Sequence, residues 1–308
     1  MEFLISGTHI APCYLVGVGF VVGILGGFFG VGGSFIAGPA LFAAGVPMNF
    51  VVGTDLAHIV GKSIVAARKH RALGNVDTKL GMIMVVGTIA GVETGAQLIQ
   101  ELKRRANVDL VVGVTFVIIL LSISIFMAWE SWRTMKWLRS KRPSRRRTAN
   151  TKDQSAFAFI AEVVHRIELP PFVSLPASGI DRISIWAILI VSYVGGLFSG
   201  FLGGGAGYIR MPSMIYLLGI PTHIAVGTDL FEIIISASYG TVTHALKGNV
   251  DILIALVMHT GAAIGAQIGA SLTQFFMGPR IRLAFIPLPL IGVVIVLHQL
   301  LTGHHHGA

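Results

Sequence analysis

The chain alternates long apolar runs with short polar breaks, and the runs come in the same order twice. Residues 3–54 carry no Asp, Glu, Lys or Arg, and neither do 110–129, 183–209, 252–279 or 283–308. A helix crossing a bilayer needs about 20 apolar residues, so several of these runs are long enough to span. The first run divides into an apolar segment (14–29), a Gly-rich break (30–33) and a short piece (34–45) followed by a proline; segments 50–69, 78–100 and 108–135 come next. Later in the chain the order returns as 185–202, a break at 203–207, a short piece at 208–219, then 224–246, 252–275 and 283–301. The short pieces fall below spanning length, which points to a re-entrant or broken hairpin in each copy. The pattern predicts an all-α fold, a polytopic membrane helical bundle of two homologous repeats, each with a Gly-broken hairpin plus about three spans.

The letters repeat as well as the pattern. Gly53-Thr54-Asp55-Leu56 returns as Gly227-Thr228-Asp229-Leu230, and Gly74-Asn75-Val76-Asp77 as Gly248-Asn249-Val250-Asp251, both 174 positions later. Pro47 and His70 match Pro221 and His244 at that spacing, while Gly30, Gly32 and Pro39 match Gly203, Gly205 and Pro212 one residue closer. Units of this size suit half a transporter better than a solenoid repeat. The expected division is a first transmembrane repeat at 1–138, a basic linker at 139–182 and a second transmembrane repeat at 183–308.

Composition strengthens the membrane reading: 54% of residues are hydrophobic, 12% are charged, and the mean hydropathy is +0.78. Soluble domains approach a quarter charged. Six of the nine residues from Arg139 to Arg147 are basic, which places the linker in the cytoplasm by the positive-inside rule. Arg68, Lys69 and Arg71 then fall inside, whereas Lys103, Arg104 and Arg105 fall outside. Inverted copies, as a re-entrant hairpin makes them, also bring Arg280 and Arg282 inside; parallel copies remain open. The linker reads as a topology signal or as a clamp for anionic lipid, and residues 156–168 suit a short amphipathic surface helix. The N-terminus lacks the basic flank of a signal peptide, so no removed presequence is expected. Cys13 is the lone cysteine, which excludes an intrachain disulfide and a cysteine metal cluster.

Charge inside the apolar runs carries the chemistry. Asp55, His58 and Lys62 are spaced i, i+3, i+7, on one stripe of a helix. An ionised group at the bilayer centre costs a few kcal/mol, so such residues face a cavity or a partner and mark a pathway. The second copy carries Asp229, Glu232 and Ser236 on the matching stripe. A cation on one side and carboxylates on the other suit an anion site with proton-coupling or salt-bridge partners; the plainer reading is an ion pair that pins the halves together. Thr54 and Thr228 precede the aspartates in what resembles a helix opening, and two helix N-termini meeting at the midplane would cradle an anion. Gly32, Gly33, Gly204 and Gly205 in the breaks either let backbone approach a ligand or mediate close packing. Arg210 faces the same cavity or snorkels to a membrane surface. Gln97 and Gln267 read as packing groups; Glu93, His259 and His298 are minor candidates, and His304–His306 form a tail.

Gly61-Lys62-Ser63 resembles the end of a phosphate-binding loop, but the required glycine is Leu56, so that motif fails. No catalytic triad, metal-protease motif or paired-carboxylate spacing occurs. The chain is therefore expected to be no enzyme, with no cofactor, no metal and no nucleic-acid partner.

A Gly-rich break followed by a proline and then Gly-Thr-Asp-Leu, present in both halves, resembles the sulfite exporter TauE/SafE family of bacterial membrane transporters. The resemblance covers both repeats and implies movement of sulfite, sulfoacetate or related organosulfonates across the bacterial inner membrane. The expected function is a secondary transporter of small anions, an exporter by that resemblance, working by alternating access. Its substrate side is Lys62, His58, Thr54, Thr228, Gly32, Gly33, Gly204, Gly205 and Arg210, with Asp55, Asp229 and Glu232 as partners. Alternatives are an anion channel, a cation or proton-coupled transporter, and a membrane scaffold docking through its linker.

Overall fold

The computed structural model describes residues 2–3, 5–105, 108–140, 158–166 and 169–302. The basic run beyond Ser140 and the histidine tail lie outside the described residues. A two-stranded hairpin, β1 (Glu2–Phe3) and β2 (Thr8–His9), leads into α1 (Pro12–Phe29), α2 (Ser34–Ala43), α3 (Met48–Ala72), α4 (Thr78–Arg105) and α5 (Val108–Ser140). After α6 (Ala158–His165), a second antiparallel hairpin, β3 (Phe172–Leu175) and β4 (Ile180–Ser184), leads into α7 (Ile185–Leu202), α8 (Gly207–Tyr216), α9 (Thr222–Leu246), α10 (Ile252–Leu272), α11 (Gly278–Phe285) and α12 (Pro287–Thr302).

Seven segments among the described residues are long and apolar enough to cross a membrane: 12–29, 48–72, 78–104, 108–130, 185–202, 252–275 and 278–302. The protein is a multi-pass membrane protein. Its last span is not the single helix expected at 283–301. Helix α11 stops at Phe285 and α12 begins at Pro287, because Pro287 and Pro289 bring no amide hydrogen to the ladder at that point.

Helix α1 ends where Gly30, Gly32 and Gly33 take φ values of 75°, 69° and 77°, a region glycine enters without penalty. The chain folds back on itself there. The Tyr14 hydroxyl near the start of α1 donates to the Ala40 carbonyl of α2 at 2.9 Å, so α2 returns to the side from which α1 set out. Gly203, Gly204 and Gly205 make the same kind of break after α7.

The two halves interlock. Helix α1 packs along α10 and α4 along α7, with α3 and α9 between them. A Cβ placed on Gly19, Gly23 or Gly27 would lie 2.0–2.4 Å from the carbonyl oxygens of Met258, Ala262 and Ala266 in turn. Gly261, Gly265 and Gly269 press equally closely on Val16, Phe20 and Ile24. Both series ascend together, so α1 and α10 are parallel. Gly87, Gly91 and Gly95 ascend in the same way along α7, against Leu189, Tyr193 and Leu197. With no side chain between them, the backbones meet directly, the arrangement by which helices associate in lipid, where burial of apolar surface drives nothing.

These pairings fix directions that the sequence left open. Helix α3 follows the α1–α2 return and so runs parallel to α1, and α4 runs back. Helix α7 is parallel to α4 and therefore opposed to α1; Leu56 lies by Gly240 while Ile59 clusters with Ile233 and Ala237, so α3 and α9 are also opposed. Elements at matching places in the two halves run in opposite directions.

The expected linker at 139–182 contains α6 and the β3 strand. Its end forms the β3–β4 hairpin, whose Ser178 hydroxyl donates to Asp77 Oδ2 at 2.7 Å at the start of α4. The β1–β2 hairpin does the same to the other half: Ser6 donates to Asp251 Oδ2 from its hydroxyl at 2.8 Å and its amide at 3.2 Å. Helix α6 docks on the α8–α9 connection, with His165 Nε2 3.0 Å from the Leu218 carbonyl.

Candidate functional site

The two glycine breaks touch at the centre of the bundle. A Cβ on Gly32 would lie 3.0 Å from the Gly204 carbonyl oxygen, and one on Gly207 would lie 2.5 Å from Val31 Cα. The N-termini of the half-helices α2 and α8 therefore begin beside one another. Each end presents unsatisfied amides and the positive end of a helix dipole. The helix ends that meet are thus those of α2 and α8, not openings at the Gly-Thr-Asp motifs.

That is a correction for Thr54 and Thr228. Helices α3 and α9 begin at Met48 and Thr222 and run unbroken through both motifs, so neither threonine caps a helix. Instead, Thr54 Oγ1 accepts the Asp251 amide hydrogen at 2.9 Å and Thr228 Oγ1 accepts that of Asp77 at 2.9 Å. The motif of one half thereby holds the Asn-Val-Asp loop of the other. Gly53 and Gly227 make room: a Cβ on either would lie 2.1–2.2 Å from the carbonyl oxygen of Asn249 or Asn75.

The charged stripes face these half-helix ends. Asp55, His58 and Lys62 are each 1% exposed, and Arg210, Asp229 and Glu232 are fully buried. In the second half the charges are paired: Arg210 Nε is 2.5 Å from Asp229 Oδ1 and Arg210 Nη1 is 2.6 Å from Glu232 Oε2, while the Ser236 hydroxyl donates to Glu232 at 3.3 Å. Arg210 therefore turns inward and does not snorkel. In the first half His58 Nδ1 is 3.4 Å from Asp55 Oδ1, but Lys62 Nζ and His58 Nε2 have no hydrogen-bond partner among the described residues. Lys62 Nζ lies 3.4 Å from the point a Cβ on Gly33 would occupy, next to the first turn of α2. A buried ammonium without an acceptor, placed at a helix N-terminus that also seeks one, is a place for a negative group.

The structure thus sets Gly32, Gly33 and Lys62 together at the start of α2, with Asp55 and His58 on the Lys62 stripe of α3, and gathers Gly204, Gly205, Arg210, Asp229 and Glu232 around α8. Sequence reasoning passed over Tyr208, whose hydroxyl is buried with no hydrogen-bond partner among the described residues. No periodic signal distinguishes it. Among the minor candidates, the His259 ring packs on Gly61, and Glu93 accepts from the Tyr239 hydroxyl at 3.0 Å and pairs with Lys247 at 3.3 Å, fastening α4 to α9. Among the described residues no group of three or more His, Cys, Asp or Glu is placed to hold a metal.

Comparison with known proteins places this architecture. "Probable membrane transporter protein YunE" of Bacillus subtilis is 26% identical over 268 residues, covering 84% of this chain and 88% of that protein. "Probable membrane transporter protein YjnA" of the same organism is 23% identical over 85% of this chain and 90% of its own length. "Sulfite exporter TauE/SafE family protein 2" of Arabidopsis thaliana is 22% identical over a shorter stretch, 41% of this chain and 29% of that protein. No solved structure matches. The family model described as "Sulfite exporter TauE/SafE" matches residues 15–296, from the first turn of α1 into α12. With both glycine breaks, both charged stripes and all the long helices inside that match, the chain belongs to the sulfite exporter TauE/SafE family of membrane transporters.

Proposed function

We propose that this transporter moves a small anion, sulfite or a small organosulfonate such as sulfoacetate, by alternating access between its two halves. The observation that carries this reading is Lys62: a buried ammonium with no hydrogen-bond partner among the described residues, set against the first turn of a half-helix. The anion would bind between Lys62, the amides after Gly32 and Gly33, and His58, whose Nδ1 is oriented by Asp55. Opposed halves that share helices, α1 lying with α10 and α4 with α7, suit rocking of one group of helices against the other around a central site. The family and the basic run from Arg139 support export, an inner-membrane location and a cytoplasmic linker.

The direct experiment is uptake of labelled sulfite and sulfoacetate into proteoliposomes, with and without a pH gradient, for wild type, Lys62→Met and Lys62→Arg. Saturable flux is expected, reduced at least about tenfold in K62M, the scale of one lost charge-assisted hydrogen bond in a buried site, and partly kept in K62R. Flux that K62M leaves unchanged would overturn the reading. Flux that never saturates would instead indicate a channel.

One observation favours a second reading. Three buried carboxylates, Asp55, Asp229 and Glu232, face two buried cations, Lys62 and Arg210, a balance that suits a cation or proton as cargo or coupling ion. Uptake of labelled cations with no anion flux in the same vesicles would select it.

A further inference from the structure

We propose that Asp229, with Glu232, is a built-in occupant of the second half's anion cradle, which leaves the α2–Lys62 cradle as the one open to a free anion. This rests on the anion-carrier reading for the first half and extends it to the number of anions carried per cycle. Each half has a glycine break, a short helix that starts at the bundle centre, and one buried cation beside that start: Lys62 by α2 and Arg210 by α8. The cation sits on different elements, because the position matching Lys62 is Ser236 and the position matching Arg210 is Ala37.

What differs is what the cation meets. Asp229 Oδ1 is 2.5 Å from Arg210 Nε, and Glu232 Oε2 is 2.6 Å from Arg210 Nη1. The second oxygen of Asp229 has no hydrogen-bond partner among the described residues and lies 2.5 Å from the point a Cβ on Gly207, the first residue of α8, would take. That carboxylate sits where a free oxyanion would, one oxygen on a guanidinium and the other beside the first residue of a half-helix. In the first half Asp55 lies against His58 instead, and Lys62 Nζ has no acceptor among the described residues. One cradle is filled by the protein's own carboxylate, and its counterpart asks for one from outside. The tethered group also indicates the class of ligand the open cradle takes: a compact oxyanion presenting two oxygens, as carboxylates, sulfite and sulfonates do.

Formate tests this, being the Asp229 carboxylate without its tether. The variants are made in a Lys62→Met background, which removes the cation of the open first-half cradle, and purified K62M, K62M/D229G and K62M/R210Q/D229G are melted in detergent with and without formate. K62M/D229G should melt below K62M, and formate should raise its midpoint by about 3 °C or more, the shift expected for a ligand present well above its dissociation constant. K62M, with its remaining cradle filled, and K62M/R210Q/D229G, without the guanidinium, should not move. Formate that fails to move K62M/D229G, or moves all three alike, would overturn the proposal. D229S in the same background carries the same measurement if D229G does not accumulate in membranes. The result is independent of sulfite flux in wild type: absent flux would sink the anion-carrier reading while the formate shift still reported on the α8 cradle.

Discussion

Arg210 has no water to fall back on. Fully buried and held by Asp229 and Glu232, it can be replaced only at the expense of two stranded carboxylates. Removing one member of a buried ion pair typically costs about 3–5 kcal/mol, mostly because the partner's charge is left uncompensated. Arg210→Met is therefore expected to destabilise the protein by that order, and the triple variant R210M/D229N/E232Q, which leaves no uncompensated charge, to recover most of the loss. Thermal melting of the two in detergent checks this; equal losses would show that the arginine matters for packing alone. Lys62 is predicted to behave differently. It has no hydrogen-bonded partner among the described residues to strand, so K62M should melt at or above wild type even while flux falls.

Among the elements, the glycine stripes bear most directly on assembly. Gly265 sits against the backbone of Phe20 and Ile24, with 2.2 Å from its would-be Cβ to the nearest carbonyl oxygen. A Gly265→Leu change cannot be absorbed by a rotamer shift, since the obstruction is backbone, and α10 must move away from α1. Loss of folded protein in detergent is expected for G265L, whereas Gly17→Leu on the partner helix α1, where a Cβ meets nothing within 4 Å, should be tolerated; size-exclusion profiles distinguish them. The helices themselves were legible because their limits are local events. A charge-free run and a glycine cluster mark α1 at 14–29 against 12–29 observed, and α7 at 185–202 as observed. The stripes Gly19, Gly23, Gly27 and Gly261, Gly265, Gly269 stand openly in the sequence at four-residue spacing, yet the partner of each lies more than 200 residues away, and spacing does not name it. The charged stripe was legible for the same local reason, helical periodicity, while the Arg210 pairing depends on where a break redirects the chain. Thr54 misled because its side-chain chemistry fits a helix cap; tertiary contact with the Asp251 amide put it mid-helix instead. The β-hairpins escaped because strands of two to five residues carry almost no period.

For the whole molecule, opposed halves put the two hairpins on opposite faces, one over Asp77 and the other over Asp251. With Cys13 replaced by serine, cysteines introduced at Thr8 and at Ser174 should react with a membrane-impermeant maleimide from opposite sides of sealed vesicles; labelling of both from one side would contradict the opposed arrangement. The interlocking of α1 with α10 and α4 with α7 also sets a timetable for synthesis. About 240 residues separate the end of α1 from the end of α10, so at typical elongation rates the first helix waits roughly 10–50 s for its partner. During that interval α1 rests in the bilayer with its glycine face uncovered, open to any other helix bearing small residues. Until the last third of the chain arrives, that face has to stay clear of other small-residue helices, because the same close backbone contact would be open to them.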